Sequence, residues 1–236
     1  MSTRNLDAVI LAAGRGERMR PLTDHTPKPL LPVRGKRLIE WQLEAMARAG
    51  IKRVVINTAW LEEQFAPVLG DGFRWGLSIR YSNEGRDHGG ALETAGGIAK
   101  VLPWLGDCFW VVSGDVFVPN FRFDRGDADA FAASSLLGRL WLAPNAPHHP
   151  EGDFGIDEAG LAVMDAGPRR TWASVGLFHA EMFAGVTPGT TLRLTPLLHQ
   201  AIAQRRLAAT AWDGGWTDVG TPERLAELNR AVPGQV

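Results

Sequence analysis

A loop that follows the first apolar segment of the chain carries residue types that bind phosphate. It spans residues 11–30 (LAAGRGERMRPLTDHTPKPL) and combines turn-forming glycines and prolines with basic side chains. These basic residues are Arg15, Arg18, Arg20 and Lys28. An arginine offers forked N–H donors to phosphate oxygens, and the prolines on either side of Lys28 fix the local backbone and present its ammonium on a stiff segment. The cluster predicts a polyphosphate site. For any one arginine, solvated surface charge is the alternative.

Two familiar phosphate loops do not match this segment. The dinucleotide fingerprint needs a third glycine where the chain has Met19, and it opens a helix at once, whereas this loop continues for many residues. The P-loop needs Gly-Lys followed by Ser or Thr, and the segment has no such run. A dinucleotide-dependent oxidoreductase is therefore disfavoured, and the loop is a different phosphate-binding device.

The elements that must position this loop alternate between strands and helices. Continuous apolar or alternating runs predict strands over residues 8–12, 53–57, 77–81 and 109–113. Helical spacing of apolar residues predicts helices over residues 36–49, 62–69 and 93–102. Such alternation favours a parallel sheet with helices on both faces. The loop then lies at the carboxyl edge of the sheet, where α/β proteins bind ligands.

The pattern changes after Asp115. Residues 130–137, 139–143 and 172–179 are interpreted as strands with few helices between them, and a closing helix over residues 223–232 follows Thr221 as its cap. Since no linker or internal repeat separates the halves, we expect a single domain over residues 1–236. Its nucleotide-binding part covers about residues 1–117, and an α+β extension of the same sheet covers about residues 118–236.

Composition narrows the class of protein. A net charge of -1 gives no reason to expect nucleic acid as a partner. Cys108 is the only cysteine, which excludes an intrachain disulfide and a zinc site built from several cysteines. The N-terminal apolar run is too short for a signal peptide, and no stretch approaches the roughly 20 apolar residues of a membrane span. We therefore expect a cytoplasmic protein without a membrane partner.

Four segments together resemble the sugar-1-phosphate nucleotidylyltransferases. The loop LAAGRGERMRPLT followed by PKP resembles the signature of that family, and residues 92–97 (LETAGG) resemble its second nucleotide loop. Ser113-Gly114-Asp115 and residues 216–221 (WTDVGT) resemble its two metal-binding segments. The matches keep the family order across nearly the whole chain. They imply a Rossmann-like α/β nucleotidyltransferase fold, with a mostly parallel mixed sheet flanked by helices and an α+β sugar-binding extension.

The resemblance also implies a reaction. A nucleoside triphosphate and a sugar 1-phosphate would give a nucleoside-diphosphate sugar and pyrophosphate. The nucleophile is a phosphate oxygen, already ionised near neutral pH because the second pKa of a phosphate is about 6. The reaction therefore needs charge neutralisation and in-line positioning in place of a general base. Mg²⁺ is the implied cofactor, since two carboxylates far apart in sequence that converge at a phosphate suit this ion.

Residue roles follow from the matched motifs. Arg18, Lys28 and Asp115 are the implied catalytic residues, and Asp115 and Asp218 the implied Mg²⁺ ligands. Nucleotide contacts are expected from Leu11, Ala12, Ala13, Gly14, Arg15, Gly16, Lys28, Glu84, Glu93, Thr94 and Ser113. Ser113 replaces an asparagine that is frequent in related chains. Sugar contacts are expected from Asp153 and Gly176, and from Arg169 in place of the lysine of the family's Glu-Lys-Pro segment, which residues 164–169 lack.

Several alternatives stay open on the sequence. The expected partners are small molecules, with UTP as the donor. A mannose-1-phosphate guanylyltransferase, a glucose-1-phosphate thymidylyltransferase and a catalytically silent nucleotide-sugar sensor are the competing interpretations. Residues 86–91 form either a mobile lid or a plain surface loop. His148 and His149 are expected to contact the sugar and not to bind metal. A monomer or a small homo-oligomer is expected.

Overall fold

A computed structural model describes residues 6–165 and 167–230. The strands, in chain order, are β1 (Asp7–Ala12), β2 (Pro32–Val33), β3 (Lys36–Arg37), β4 (Arg53–Thr58), β5 (Ser78–Asn83), β6 (Cys108–Ser113), β7 (Val116–Phe117), β8 (Gly138–Ala143), β9 (Gly155–Ile156), β10 (Ala162–Val163), β11 (Thr171–His179), β12 (Leu207–Ala211) and β13 (Thr217–Asp218). The α-helices are α1 (Leu38–Arg48), α2 (Phe65–Leu69), α3 (Glu84–His88), α4 (Glu93–Val101), α5 (Arg125–Ala132), α6 (Thr195–Ala203) and α7 (Pro222–Arg230).

Seven of these strands form one mixed sheet. Their order is β12-β8-β11-β6-β1-β4-β5. Strands β6, β1, β4 and β5 run parallel to one another, whereas β11 is antiparallel to both β6 and β8. Strands from the expected nucleotide-binding and sugar-binding parts therefore share one sheet, as the predicted α/β fold with an α+β extension requires.

The apolar runs form strands because helices and loops cover the sheet on both faces. Along β1, Ala8 and Ile10 point into one buried cluster, which also contains α1 side chains such as Leu43. Val9 points into the opposite cluster, which contains Ile98 of α4. A strand buried on both faces reads as a continuous apolar run, in contrast to the alternation of a half-exposed strand. Because β1 is a central strand of the sheet, the loop that follows it begins at the carboxyl edge of the sheet, as expected.

The prediction of a strand over residues 130–137 is wrong. The first three of them end helix α5, and a turn leads from there to β8. The Asp124 side chain caps this helix by accepting a hydrogen bond from the Asp127 N–H at 3.0 Å. Ala128 and Phe131 are buried at helical spacing on one face. Helix α6 was also missed, although Pro196 marks its first turn.

Two other helix predictions hold with small shifts, whereas the 86–91 segment, expected as a lid or a surface loop, begins inside a helix. Residues 62–69 contain a 3₁₀ turn and then α2, which is shorter than the predicted helix. The 86–91 segment begins inside α3, whose Gly85 and Arg86 N–H groups bond Glu62 at 3.1 and 2.9 Å. Thr221 caps the closing helix through a 3.4 Å bond to the Arg224 N–H, and the last two residues of that predicted helix lie outside the described residues.

A third apolar cluster packs the 11–30 loop, which we call the phosphate loop, against β7, α7 and the residue after β13. Met19, which replaces the third glycine of a dinucleotide fingerprint, is fully buried there. It shares the cluster with Phe117 of β7, Val219 after β13, and Leu225 of α7. The loop is thus held in place by packing against the late segments of the chain.

Over the described ranges, no helix has the length and apolar character needed to cross a membrane.

Candidate active site

A cavity of about 340 Å³ opens at the carboxyl edge of the parallel strands. It lies where the phosphate loop leaves β1 and where β4 and β6 end. Its lining contains Leu11, Ala12, Ala13, Gly14, Arg15, Gly16, Lys28, Pro29, Asn57, Ala91, Glu93, Thr94, Ser113 and Asp115. The structure therefore brings most of the expected nucleotide-binding residues to a single cavity, which we call the first cavity.

Gly16 gives the loop its turn in the first cavity. Its φ of 66° is in the left-handed region that favours glycine. An added Cβ would lie 3.1 Å from the Thr23 methyl group, so the position is also tight. The buried Thr23 hydroxyl donates to the Gly16 carbonyl at 2.8 Å and holds the turn closed. Backbone N–H groups in such a turn are suited to hold phosphate oxygens.

Lys28 and Asp115 form an ion pair in the first cavity, with 2.7 Å between Nζ and Oδ2. Lys28 is only 9% exposed, which is rare for a lysine and consistent with a fixed partner. The Ser113 hydroxyl donates to the other oxygen of Asp115 at 2.6 Å. Burial alone would raise the pKa of Asp115, but the Lys28 charge and these two hydrogen bonds bring that pKa below its usual value. The carboxylate is therefore held in its charged form.

Gln42 of α1 supports the turn that presents Asp115. Its Nε2 donates to the carbonyls of Ser113 at 2.7 Å and Val116 at 3.1 Å, on either side of the aspartate. Gln42 is 1% exposed, and among the described residues its Oε1 has no hydrogen-bond partner. Gly114 completes the turn by donating to the Leu11 carbonyl at 2.7 Å. The position of Asp115 thus depends on the sheet and on one buried side chain.

Asn57 lies in the lining of the first cavity and was missed by the sequence analysis. Its Oδ1 accepts the Ala12 N–H at 2.8 Å, and its Nδ2 donates to Glu84 Oε1 at 2.7 Å. Glu84 Oε2 accepts the Leu92 N–H at 2.8 Å. This chain of bonds connects the end of β1 to Leu92, just before α4. The sequence could have indicated Asn57 as a site residue, because it is a polar residue at the carboxyl end of a buried parallel strand.

Glu84 requires a correction. It was expected to face the base, but it is fully buried behind Asn57 and does not line the first cavity. Burial raises the pKa of its carboxyl group, and the bonds from Leu92 and Asn57 oppose that rise. A Cβ on Gly97 would lie 2.6 Å from both the Asn57 amide nitrogen and Glu84 Oε1. Glycine at position 97 therefore leaves room for this buried pair.

Glu93 has a backbone conformation that is uncommon for its residue type. Its φ is 60° at the start of α4. A non-glycine residue in this region costs of order 1–3 kcal/mol and persists where the surroundings determine it. Its half-exposed side chain lines the first cavity beside Thr94. The uncommon backbone conformation at the start of α4 thus places the Glu93 carboxylate at the first cavity.

Asp218 is brought next to Asp115 by the pairing of two short strands. It lies opposite Val116 in the antiparallel pair of β13 and β7, and the Val219 N–H donates to the Asp115 carbonyl at 2.9 Å. Its two carboxylate oxygens have cationic or basic partners. Arg224 bonds Oδ2, and His148 Nε2 lies 3.1 Å from Oδ1. The two residues expected as metal ligands are therefore neighbours on paired strands.

Arg18 lies on the Asp218 side of the site and not in the lining of the first cavity. A Cβ on Gly220 would be 3.5 Å from Arg18 Nη2 and 2.9 Å from Asp218 Oδ2. The guanidinium group is thus near the second carboxylate. Together with Lys28 and Arg224, it places three cations around two carboxylates, which favours the binding of further negative charge.

A second cavity of about 490 Å³ lies beside Asp218. It is lined by Ala143, Pro144, Asn145, Ala146, Pro147, His148, Gly214, Trp216, Thr217, Asp218, Arg224 and Glu227. The Trp216 indole donates to the Ala173 carbonyl at 3.1 Å, which fixes the ring as a wall. The site thus has two cavities, the first lined by Asp115 and the second by Asp218.

The three expected sugar-binding residues do not meet in one place, which is a further correction. Asp153 anchors the 144–154 loop to β11, since Oδ2 accepts the Trp172 N–H at 2.8 Å and Oδ1 lies 3.1 Å from His149. Gly176 lies inside β11, where a Cβ would be 2.9 Å from the Arg139 carbonyl, so close strand packing explains the glycine. Arg169 is in a separate shallow depression with Glu151 and Asp165. Within the described part of the chain, none of the three lines either cavity.

The donor set of the two aspartates fits Mg²⁺. Carboxylate oxygens are hard ligands, and Mg²⁺ is usually bound by one or two carboxylates with waters and substrate phosphates. In the described ranges, no group of three or more His, Cys, Asp and Glu side chains forms a metal-binding cluster. Asp115 and Asp218 would therefore supply two positions and leave the others to water and substrate.

These features define an α/β protein with a candidate phosphate-binding cavity at the carboxyl edge of its sheet. A sequence model of the nucleotidyl transferase family matches residues 7–235. The chain belongs to this family. It is 46% identical to N-acetylmuramate alpha-1-phosphate uridylyltransferase of Neisseria meningitidis serogroup B, over 94% of this chain and 96% of the relative.

Two further comparisons agree with this assignment. The protein of the same description from Caulobacter vibrioides is 32% identical over 93% of this chain and 97% of the relative. A solved structure from Bacillus anthracis, provisionally described as a glucose-1-phosphate thymidylyltransferase in complex with sucrose, superimposes with a TM-score of 0.81. It covers 95% of this chain and 94% of its own chain, at 22% identity. That likeness supports the fold, which is the predicted nucleotidyltransferase fold.

Proposed function

We propose that the protein transfers a uridylyl group from UTP to N-acetylmuramic acid α-1-phosphate in a Mg²⁺-dependent reaction. The observation that supports this most is the full-length match at 46% identity to an enzyme of that description. The geometry agrees with nucleotidyl transfer, since a glycine-containing turn, a buried lysine and Asp115 line one cavity, and strand pairing places Asp218 next to the Asp115 turn. A cytoplasmic location and a monomeric or small homo-oligomeric state stay predictions from the sequence.

The reaction exchanges one P–O bond for another. A phosphate oxygen of the sugar 1-phosphate attacks the α-phosphorus of UTP, and the bond from that phosphorus to the bridging oxygen of the β-phosphate breaks. The electron pair leaves with pyrophosphate, and UDP-N-acetylmuramic acid remains. Two anions must approach each other, so the main task of the protein is to neutralise charge and align the reactants.

We assign these tasks to residues around the two cavities. The backbone of the 11–16 turn and Arg15 would hold the triphosphate in the first cavity. Lys28 would hold the α-phosphate or the incoming sugar phosphate, and Arg18 the departing pyrophosphate. Mg²⁺, when bound, would be held by Asp115 and Asp218 and would neutralise phosphate charge. Its binding requires that Lys28, Arg224 and His148 share or release these carboxylates.

We further propose that the acceptor sugar lies in the second cavity. The cavity adjoins Asp218 and offers Trp216 as an apolar wall. N-acetylmuramic acid carries a lactyl carboxylate that N-acetylglucosamine lacks, and a buried charge needs a partner. Arg224 and His148 line this cavity and are suited to meet it. Arg224→Met should therefore raise the KM for N-acetylmuramic acid 1-phosphate more than the KM for N-acetylglucosamine 1-phosphate.

The experiment that tests the function measures pyrophosphate release. UTP, GTP and dTTP are each combined with the 1-phosphates of N-acetylmuramic acid, N-acetylglucosamine, glucose and mannose. We expect the highest kcat/KM for UTP with N-acetylmuramic acid 1-phosphate, loss of activity with EDTA, and recovery with added Mg²⁺. A preference for GTP with mannose 1-phosphate would refute uridylyl transfer but keep nucleotidyl transfer. Release with no pair of substrates would favour the silent sensor.

A further inference from the structure

Trp60 packs against the phosphate loop from outside the family motifs. It follows β4, and its indole ring lies under the guanidinium group of Arg15, with 3.6 Å between Arg15 Cζ and the ring centroid. The Trp60 Nε1–H donates to the Thr23 carbonyl at 2.9 Å. Arg15 Nη1 donates to the same carbonyl, also at 2.9 Å. One loop carbonyl therefore connects the tryptophan and the arginine.

These contacts hold Arg15 in a single orientation at the edge of the first cavity. Its Nη2 donates to Asp24 Oδ1 at 3.0 Å, so the described contacts use two of the five N–H groups of the guanidinium. The ring covers one face of the planar group, and Thr23 and Asp24 hold one edge. The remaining donors are available to an anion in the cavity that Arg15 lines. An arginine held in this way loses less conformational freedom when a phosphate binds.

Asp24 and Trp60 act on Arg15 in different ways. Asp24 is also bonded by Arg20 at 2.8 Å, and its hydrogen bond from Arg15 and the charges of both arginines keep its pKa below the usual value despite some desolvation. This carboxylate therefore stays ionised and competes with a phosphate for Arg15. The indole ring is neutral. It orients the guanidinium through stacking and the ring quadrupole without cancelling its charge.

We propose that Trp60 is a positioning residue for nucleoside triphosphate binding and that it acts by holding the guanidinium of Arg15 towards the outer phosphates. This inference rests on the proposed function, because it needs a triphosphate in the first cavity. Trp60 lies 30 positions beyond the phosphate loop, and it would affect the ligand only through its contact with Arg15.

The test compares ring-removing and ring-keeping variants. Trp60→Leu should raise the KM and the dissociation constant for UTP about three- to tenfold, the range of a cation–π contact that is partly shielded from solvent. The kcat and the KM for the sugar phosphate should change less than twofold. Trp60→Phe keeps an aromatic face and should recover most of the loss. Calorimetry with UMP, which lacks the outer phosphates, should show less than a twofold change.

Two controls separate positioning from general loosening. In an Arg15→Ala background, Trp60→Leu should have no further effect on UTP binding, because the group that it orients is gone. Trp104→Leu is the matched control, since Arg80 stacks on Trp104 at the same 3.6 Å and neither residue lines the first cavity. That variant should leave the KM for UTP within twofold of the wild type.

Each result supports or overturns the inference. Equal weakening of UTP and UMP, or an undiminished effect of Trp60→Leu without Arg15, would overturn it and leave the proposed function intact. If Trp60→Leu did not fold, Arg15→Lys would test the same contact, because it keeps the charge but removes the planar group; unchanged UTP affinity would again overturn the inference. A folded wild type that neither binds UTP nor releases pyrophosphate would overturn the proposed function as well.

Discussion

Gln42→Leu should separate catalysis from stability. The substitution removes two hydrogen bonds, to the carbonyls of Ser113 and Val116. At about 0.5–1.5 kcal/mol each, their loss costs roughly 1–3 kcal/mol. It also removes an oxygen that is buried without a partner among the described residues, which returns about 1–3 kcal/mol. The two effects nearly cancel, so we expect the free energy of unfolding to change by no more than about 1 kcal/mol.

The effect of Gln42→Leu on turnover should be larger. The amide group holds both ends of the turn that presents Asp115, and a displacement near 1 Å at a reacting centre can cost about 100-fold in rate. We expect turnover to fall about 10- to 100-fold, equivalent to roughly 1.4–2.7 kcal/mol of activation free energy. The concentration of Mg²⁺ that gives half-maximal rate should also rise, because Asp115 is a proposed ligand.

Two measurements test Gln42→Leu. Urea unfolding, monitored by tryptophan fluorescence, gives the free energy of unfolding. A pyrophosphate-release assay over a range of Mg²⁺ concentrations gives the turnover and its dependence on Mg²⁺. Met46→Leu is the control, since Met46 is fully buried on the same helix and the substitution nearly preserves volume. It should leave turnover within about twofold. Unchanged turnover in Gln42→Leu would refute the reasoning and show that the strands β6 and β7 alone position Asp115. A stability loss above about 4 kcal/mol would refute the cancellation.

Further predictions concern the carboxylates, the lysine and one glycine. Asp115→Asn and Asp218→Asn should each lower turnover at fixed Mg²⁺ by orders of magnitude while circular dichroism shows a folded protein; near-wild-type turnover would remove that residue from the site. Lys28→Ala should raise the KM for a phosphorylated substrate and lower the rate of the chemical step. Because Lys28 depresses the pKa of Asp115, the stabilisation by the pair is complete above the ordinary aspartate pKa and is lost as pH falls through the depressed value. The stability deficit of Lys28→Ala in urea should therefore be largest near neutral pH and shrink in acid, and a deficit independent of pH would contradict this. Gly97→Ala should displace Asn57 and destabilise the protein by about 1–3 kcal/mol in urea unfolding, with weaker UTP binding in calorimetry.

The sequence predicted the parallel part of the sheet closely. The predicted strand over residues 53–57 is β4 (Arg53–Thr58), and the one over residues 109–113 is β6 (Cys108–Ser113). Both are apolar runs buried on two faces, which leaves little choice of secondary structure. The error over residues 130–137 has the opposite cause. An alanine-rich segment with one buried face fits more than one element, and the Asp124 cap decides in favour of the helix.

The candidate site was predictable where its residues follow the carboxyl ends of the predicted parallel strands or belong to a matched motif. The 11–16 turn, Lys28, Ser113 and Asp115 line one cavity because the ends of parallel strands meet at one edge. Gln42 could also have been found, since it lies on the same helical face as Ile39 and Leu43. A polar side chain on a buried face must have hydrogen-bond partners. The sequence could not show that these partners are the carbonyls on either side of Asp115.

The contacts around Asp218 could not be derived from spacing. Arg224 is six residues further along the chain and belongs to none of the matched motifs. His148 comes from the distant 144–154 loop. Both partners meet Asp218 only because β13 pairs with β7 and brings α7 and that loop to the same edge. Their presence means that the proposed metal ligand already has partners before metal binds. Any Mg²⁺ at Asp218 must therefore compete with a guanidinium and an imidazole, and the two released groups would then be available to the lactyl carboxylate of the proposed acceptor in the second cavity.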